Sequence, residues 1–453
     1  MDEIKKFDFG RDFVWGTATA AYQIEGGRNA DGKGDSIWDI CSNTPGKIRD
    51  GSNGDIACDS YHKLDEDLSL LQELGVNAYR FSVSWPRVLP NGIGKVNEKG
   101  VDYYNRLIDG LLERKITPYL TLYHWDLPQA LQEKGGFLNE NFPEWFLEYA
   151  KVIASRFGDR VKHFFTFNEP QNVLPSICPP CIQYSQKEQL VRIHNLLLAH
   201  GLAAKEIHKI DGAVVGYTSC GDIPMPQTDS PEEYELAKQE FFALNTEYPE
   251  TCTSIYSEPI FNGKYPDRYY EEFKDIMPNI KPDDMKIISE PLDFWAQNTY
   301  SGYYVKAVKV GGKVVAQRIP YPCGAPINVL GWPILPKSVY YAVKYVYERY
   351  GKPVYMAENG TSLYDYVFND GKVHDLARVE YIQNYLSELE RAKKEGIDIK
   401  GYFYWSLLDN FEWFQGVAPR FGLVHVDYQT LKRTPKDSFY YFKSVIENCI
   451  KDK

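Results

Sequence analysis

Eight short apolar runs recur along the chain, with longer segments of helical periodicity between them, and this alternation restricts the fold more than any other feature. The runs occupy residues 13–19, 78–85, 117–124, 163–169, 213–220, 294–301, 353–358 and 401–408. Helical spacing fills 65–74, 103–114, 143–157, 188–210, 337–350 and 377–394. Strand, helix, strand repeated in this way is the grammar of a parallel sheet. Eight repeats fit an α/β fold closed into a single (β/α)8 TIM barrel better than a doubly wound open sheet. No G-x-G-x-x-G opens a helix after the first run, which weakens a dinucleotide-binding alternative. With 453 residues the chain exceeds the roughly 250 of a minimal barrel. Residues 26–55, 172–186 and 222–290 are expected to be elaborated βα loops, and no Pro/Ser-rich linker divides 1–453 into domains.

A formal charge of -11, from 51 basic and 62 acidic residues, leaves no electrostatic footprint for nucleic acid. The N-terminal MDEIKKFDFGRDF lacks the apolar core of a signal peptide, and no run approaches the roughly 20 residues of a membrane span. A soluble cytoplasmic protein without a membrane partner is expected. Eight scattered cysteines are expected to be reduced. Cys178 and Cys181 form a CxxC pair that could hold metal or cycle as a redox couple, but no second pair completes four ligands, so a proline-stiffened loop is the better reading. No metal or other cofactor is expected. Aromatic residues make up 15% of the chain. They suit either sugar faces or a densely packed core, and composition does not separate the two.

A TIM barrel carries its chemistry at the C-terminal ends of the strands. The runs place Arg80, His124, Trp125, Asn168, Glu169, Asn298, Tyr300, Glu358 and Trp405 there. Glu169 follows HFFTF and Asn168, and Glu358 follows PVYMA, so each glutamate is delivered to the rim by a buried strand. Paired carboxylates are what glycoside hydrolysis requires: one ionised to attack the anomeric carbon, one protonated to donate to the leaving oxygen. A lone strand-end glutamate could equally be the ion-pair partner of an arginine. Two on one rim make that reading much weaker.

Several stretches carry a family resemblance: FVWGTATAAYQIEG, YRFSVSWPR, LYHWDLP, TFNEP, the NTY of Asn298 to Tyr300, GWPILP, AENG, and YWSLLDNFEW followed by RFGLVHVD. In this order, over nearly the whole length, the chain resembles the family 1 glycoside hydrolases, the β-glucosidase family. The resemblance implies a retaining β-glycosidase acting on terminal β-D-glucosyl residues, with β-galactosyl or β-fucosyl side activity. Its substrate would be a small-molecule or oligosaccharide β-glycoside. It implies Glu358 as nucleophile and Glu169 as acid/base, with carboxyl groups about 5 to 5.5 Å apart. Tyr300 and Arg80 would orient the nucleophile. Gln23, His124, Asn168, Glu412 and Trp413 would hold the glycone over Trp405. Trp332 would face the aglycone, with Trp125 and Asn298 completing the substrate site.

Gln171 stands where the family commonly has a tryptophan, so a polar aglycone wall is expected there. Two other functions remain open. A 6-phospho-β-glycosidase would need basic pocket residues, and Glu412 argues against it. A sugar-binding pseudoenzyme would have lost a glutamate, and both are present.

Overall fold

The computed structural model describes residues 5–176 and 184–451. All eight apolar runs are strands: β1 (Val14–Ala18), β2 (Ala78–Ser82), β3 (Thr117–Tyr123), β4 (His163–Asn168), β5 (Val214–Ser219), β6 (Phe294–Asn298), β7 (Val354–Asn359) and β8 (Ile399–Trp405). Every neighbouring pair is parallel, and β8 pairs back onto β1 with Gly401 opposite Val14, so the sheet closes on itself. This is the expected (β/α)8 barrel.

Local chemistry sets the helices around it. Gly75, at φ 81°, ends the helix Leu64–Leu74 in the left-handed conformation that glycine adopts without strain. Ser185 and Glu188 form a reciprocal capping box that starts Gln186–Ile207. Pro143 occupies the first turn of Phe142–Phe157, where its missing N–H costs nothing. The segment 222–290, expected to be a loop, instead holds four α-helices, Pro231–Phe241, Thr253–Asn262, Asp267–Glu272 and Asp284–Ile288. It also begins with a strand, Ile223–Pro226, that joins Gly302–Val310 and Lys313–Arg318 in a small second sheet. These elements are too short to carry a clear period in the sequence.

Large rings fill the barrel interior: Tyr119, Phe165, Phe294, Tyr355 and Phe403, with Ala18, Ala78, Ala296 and Ala357 between them. Small residues opposite the rings make that filling possible. A Cβ on Gly216 would lie 1.9 Å from the Phe294 ring, and one on Gly16 would lie 2.3 Å from Phe403. The C-terminal helix Asp437–Lys451 seals the seam between first and last strands, its Phe442 packing 5.9 Å from Trp15 and 6.0 Å from Tyr402.

Among the described residues no helix is long and apolar enough to cross a membrane. Cys58, Cys220, Cys252 and Cys323 are free thiols, whereas Cys41 is disulfide-bonded, which departs from the expectation of reduced thiols throughout. Cys178 and Cys181 lie outside the described residues.

Candidate active site

Two strands break register as they reach the rim, and these are the two that carry the glutamates. On β4, Phe165 pairs with Gly216 but Asn168 pairs with Thr218, three residues advancing against two. On β7, Met356 pairs with Gln297 but Glu358 with Asn298, two against one. Strict alternation would send Phe167 inward with Phe165, and Glu358 outward with Val354 and Met356. Phe167 instead packs outward against Tyr123 and Phe146, and Asn168 and Glu358 turn into the cavity. The irregularities thus change the phase of the strand by one residue. Glu169 completes the turn with φ 48°, unusual for a residue with a side chain.

The cavity over the rim has a volume of about 480 Å³. Its walls include His124, Trp125, Asn168, Glu169, Asn298, Tyr300, Trp332, Glu358, Trp405, Glu412 and Trp413. Of the expected site residues, Arg80 and Gln23 are not on the wall. Arg80 lies mid-strand, one layer down, where Nη1 donates to Glu358 Oε1 at 2.5 Å and Nη2 to Asn168 Oδ1 at 2.7 Å. Gln23 stands behind the rim, its Nε2 donating to Asn410 Oδ1 at 3.1 Å, the Phe411 carbonyl at 3.0 Å and Glu412 Oε2 at 3.4 Å.

The glutamates keep different company. Glu358 also accepts from the Tyr300 hydroxyl at 2.6 Å, so a guanidinium and a phenol hold it. Glu169 accepts from two amides: Asn298 Nδ2 at 2.7 Å on Oε1 and Asn172 Nδ2 at 2.9 Å on Oε2. Burial and the neighbouring Glu358 charge push Glu169 up to about 7. Burial raises Glu358 too, but Arg80 and Tyr300 both pull against it. Glu358 is therefore the carboxyl built to ionise, and Glu169 the one built to keep a proton near neutrality. Asn298 bonds Glu169 and also acts on Glu358, so the two carboxyls share one amide neighbour.

Asn168 Oδ1 accepts from both Arg80 and Asn298, which fixes the orientation of its amide. Its Nδ2 must then donate to His124 Nε2, 3.1 Å away. Burial and the Arg80 charge hold His124 well below the usual imidazole range, so the ring is neutral. Trp405 stacks on it at 5.8 Å and Trp413 at 6.0 Å. Desolvation and the charges of Glu358 and Glu169 push the half-buried Glu412 up to about 8. It is therefore largely protonated near neutrality. The segment carrying it after β8 is anchored by buried charge: Lys436 bridges Asp365 and Asp409 at 2.6 Å each, and Arg420 meets Asp409 at 2.7 Å.

Gln171 corrects an expectation. It forms no part of the cavity wall but is buried behind it, donating to Ser219 Oγ at 2.6 Å. The neighbouring Asn172 reaches the cavity in its place, together with Cys220 and Asp222 just after β5, and Gln415. The strand-end rule could have found Cys220 and Asp222. Nothing in the sequence marked Asn172.

A family model described as Glycosyl hydrolase family 1 matches residues 5–450. The 1,4-beta-D-glucan glucohydrolase of Thermotoga neapolitana is 42% identical, covering 98% of this chain and 99% of that protein. Beta-glucosidase A of Thermotoga maritima is 42% identical over 98% of each chain. A solved structure of the family 1 β-glucosidase from Thermotoga maritima superposes with a TM-score of 0.88 at 41% identity, covering 98% of this chain and 99% of that one. Other structures of the Thermotoga maritima β-glucosidase hold glucoimidazole or galacto-hydroximolactam. With the barrel and the paired glutamates, a match of this length leaves one assignment: the chain belongs to glycosyl hydrolase family 1.

Proposed function

We infer that the chain is a retaining β-glucosidase that removes terminal non-reducing β-D-glucosyl residues by double displacement. The observation that carries this reading is the contrast between two buried carboxyls, Glu358 held by Arg80 and Tyr300, and Glu169 held by amides and raised to about 7. Glu358 attacks the anomeric carbon while Glu169 gives its proton to the departing glycosidic oxygen. The ester so formed removes the negative charge beside Glu169, whose pKa falls. Glu169 then takes a proton from water, the hydroxide adds to the anomeric carbon, and Glu358 leaves as carboxylate. Asn168, His124, Glu412 and Trp413 hold the glycone over Trp405, Gln23 supports Glu412 from behind the wall, Trp125 and Asn298 support them, and Trp332 faces the aglycone.

Among the described residues the cavity wall holds Glu169, Asp222, Glu358 and Glu412 and no lysine or arginine, which disfavours a 6-phosphorylated substrate. A β-galactoside side activity is supported by the galacto-hydroximolactam complex of the Thermotoga maritima enzyme. Proton NMR of the first sugar released from a β-glucoside tests retention: the β-anomer is expected, and the α-anomer overturns the mechanism. Glu169→Ala should still cleave dinitrophenyl glucoside, fail with alkyl glucosides, and regain turnover with azide as β-glycosyl azide forms. Equal loss for all leaving groups, with no effect of azide, removes Glu169 from its role.

A further inference from the structure

We infer that Asn172 is a positioning residue for Glu169, its side-chain amide fixing the rotation of the carboxyl and favouring the ionised form that accepts a proton from water. This rests on Glu169 being the acid/base. A carboxyl held at one oxygen still turns about its own axis. Glu169 is held at both, by Asn298 at Oε1 (2.7 Å) and by Asn172 at Oε2 (2.9 Å).

The backbone delivers Asn172 to that place. The N–H groups of Asn172 and Val173 both donate to the Glu169 carbonyl, at 2.9 and 3.1 Å, so the amide moves with the residue that it orients. Its Nδ2 also lies 3.4 Å from Cys220 Sγ, which borders the cavity beside it. The titratable groups that face Glu169 are Glu358 from β7, Arg80 from β2, Cys220 after β5, Tyr300 after β6 and Glu412 after β8. Glu358 and burial favour the protonated form, as the first half-reaction needs. An N–H donated to the carboxyl favours the ionised form, as the second needs. Asn172 is therefore set against the neighbours that keep Glu169 an acid.

The test uses Asn172→Val and Asn172→Ala. Asn172 is exposed to the cavity, so neither change opens the core. Without the amide the proton is held more tightly, and the alkaline limb of kcat/KM for an alkyl glucoside should rise by about 0.5 to 1 unit. Deglycosylation, followed with dinitrophenyl glucoside after the burst, should slow by about 3- to 10-fold. Glycosylation by the same substrate near neutrality should be unchanged, because its leaving group needs little protonation. A loss merely of structure would lower all of these together and leave the limb in place, and that result overturns the inference. So does wild-type behaviour in both variants while Glu169→Ala still shows azide rescue. If azide rescue itself fails, the reading of Glu169 falls and not the placement of Asn172.

Discussion

Replacing Tyr300 by phenylalanine isolates the bond that distinguishes the two glutamates. The change removes the hydroxyl 2.6 Å from Glu358 Oε2 and keeps the ring that packs 5.5 Å from Trp332 and 5.9 Å from Phe421. A hydrogen bond to a charged group contributes about 1.5 to 3 kcal/mol, equivalent to roughly one to two pKa units. The donated O–H favours the carboxylate, so its loss raises the pKa of Glu358. Activity requires Glu358 ionised and is lost as pH falls through that pKa. The acidic limb of kcat/KM should therefore move up by about one to two units. The alkaline limb belongs to Glu169 and should stay in place. The assay is kcat/KM on nitrophenyl β-glucoside across both limbs. An unmoved acidic limb, or a shift of the alkaline limb instead, refutes the division of labour between the carboxyls.

Glu412→Gln should stabilise the fold at neutral pH. Its folded pKa of about 8 lies above the ordinary 4.5, so the unfolded chain gives up the proton first and stability falls as pH rises between those values. At pH 7 the difference is roughly 3 kcal/mol, and calorimetry should find the Gln variant with the higher Tm there but not at about pH 4. Equal Tm values at both would mean that Glu412 carries no strain. Hydrolysis of nitrophenyl glucoside should exceed that of its 6-phosphate by at least about 100-fold in kcat/KM, since among the described residues the cavity wall offers four carboxyls and no cation. A preference for the phosphate overturns the substrate reading. Gln171→Trp should cost about 1 to 3 kcal/mol by overpacking a site only 3% exposed. Ratios of rates between bulky and small aglycones should not change, and a change in them would place Gln171 on the wall after all.

Most of the barrel was legible because each strand announces itself as an apolar run and segments of helical periodicity lie between the runs. Strand ends then pointed to His124, Asn168, Glu169, Asn298 and Glu358, all of which line the cavity. The side-chain phase was not legible. Strands of a closed barrel are buried on both faces, so HFFTF and PVYMA carry no alternation from which to read that Glu358 turns inward. Gln171 and Asn172 illustrate the same limit. Which of two adjacent polar residues reaches the cavity depends on the backbone turn at Glu169, whose φ of 48° no local preference predicts. The role of Gln23 behind the wall required the tertiary path of the segment after β8.

The register steps on β4 and β7 make each strand behave like a message with a reading frame. Loops beyond Val173 or Glu358 can be lengthened, shortened or exchanged without altering which way either glutamate points. Deleting Ala357 is a frameshift: the ladders to both neighbours could close without the step, but everything after it would present the opposite face. Grafts between barrels of this kind should therefore carry Phe165 through Glu169, and Met356 through Glu358, as indivisible blocks. Their edges belong in the regular ladder below those steps.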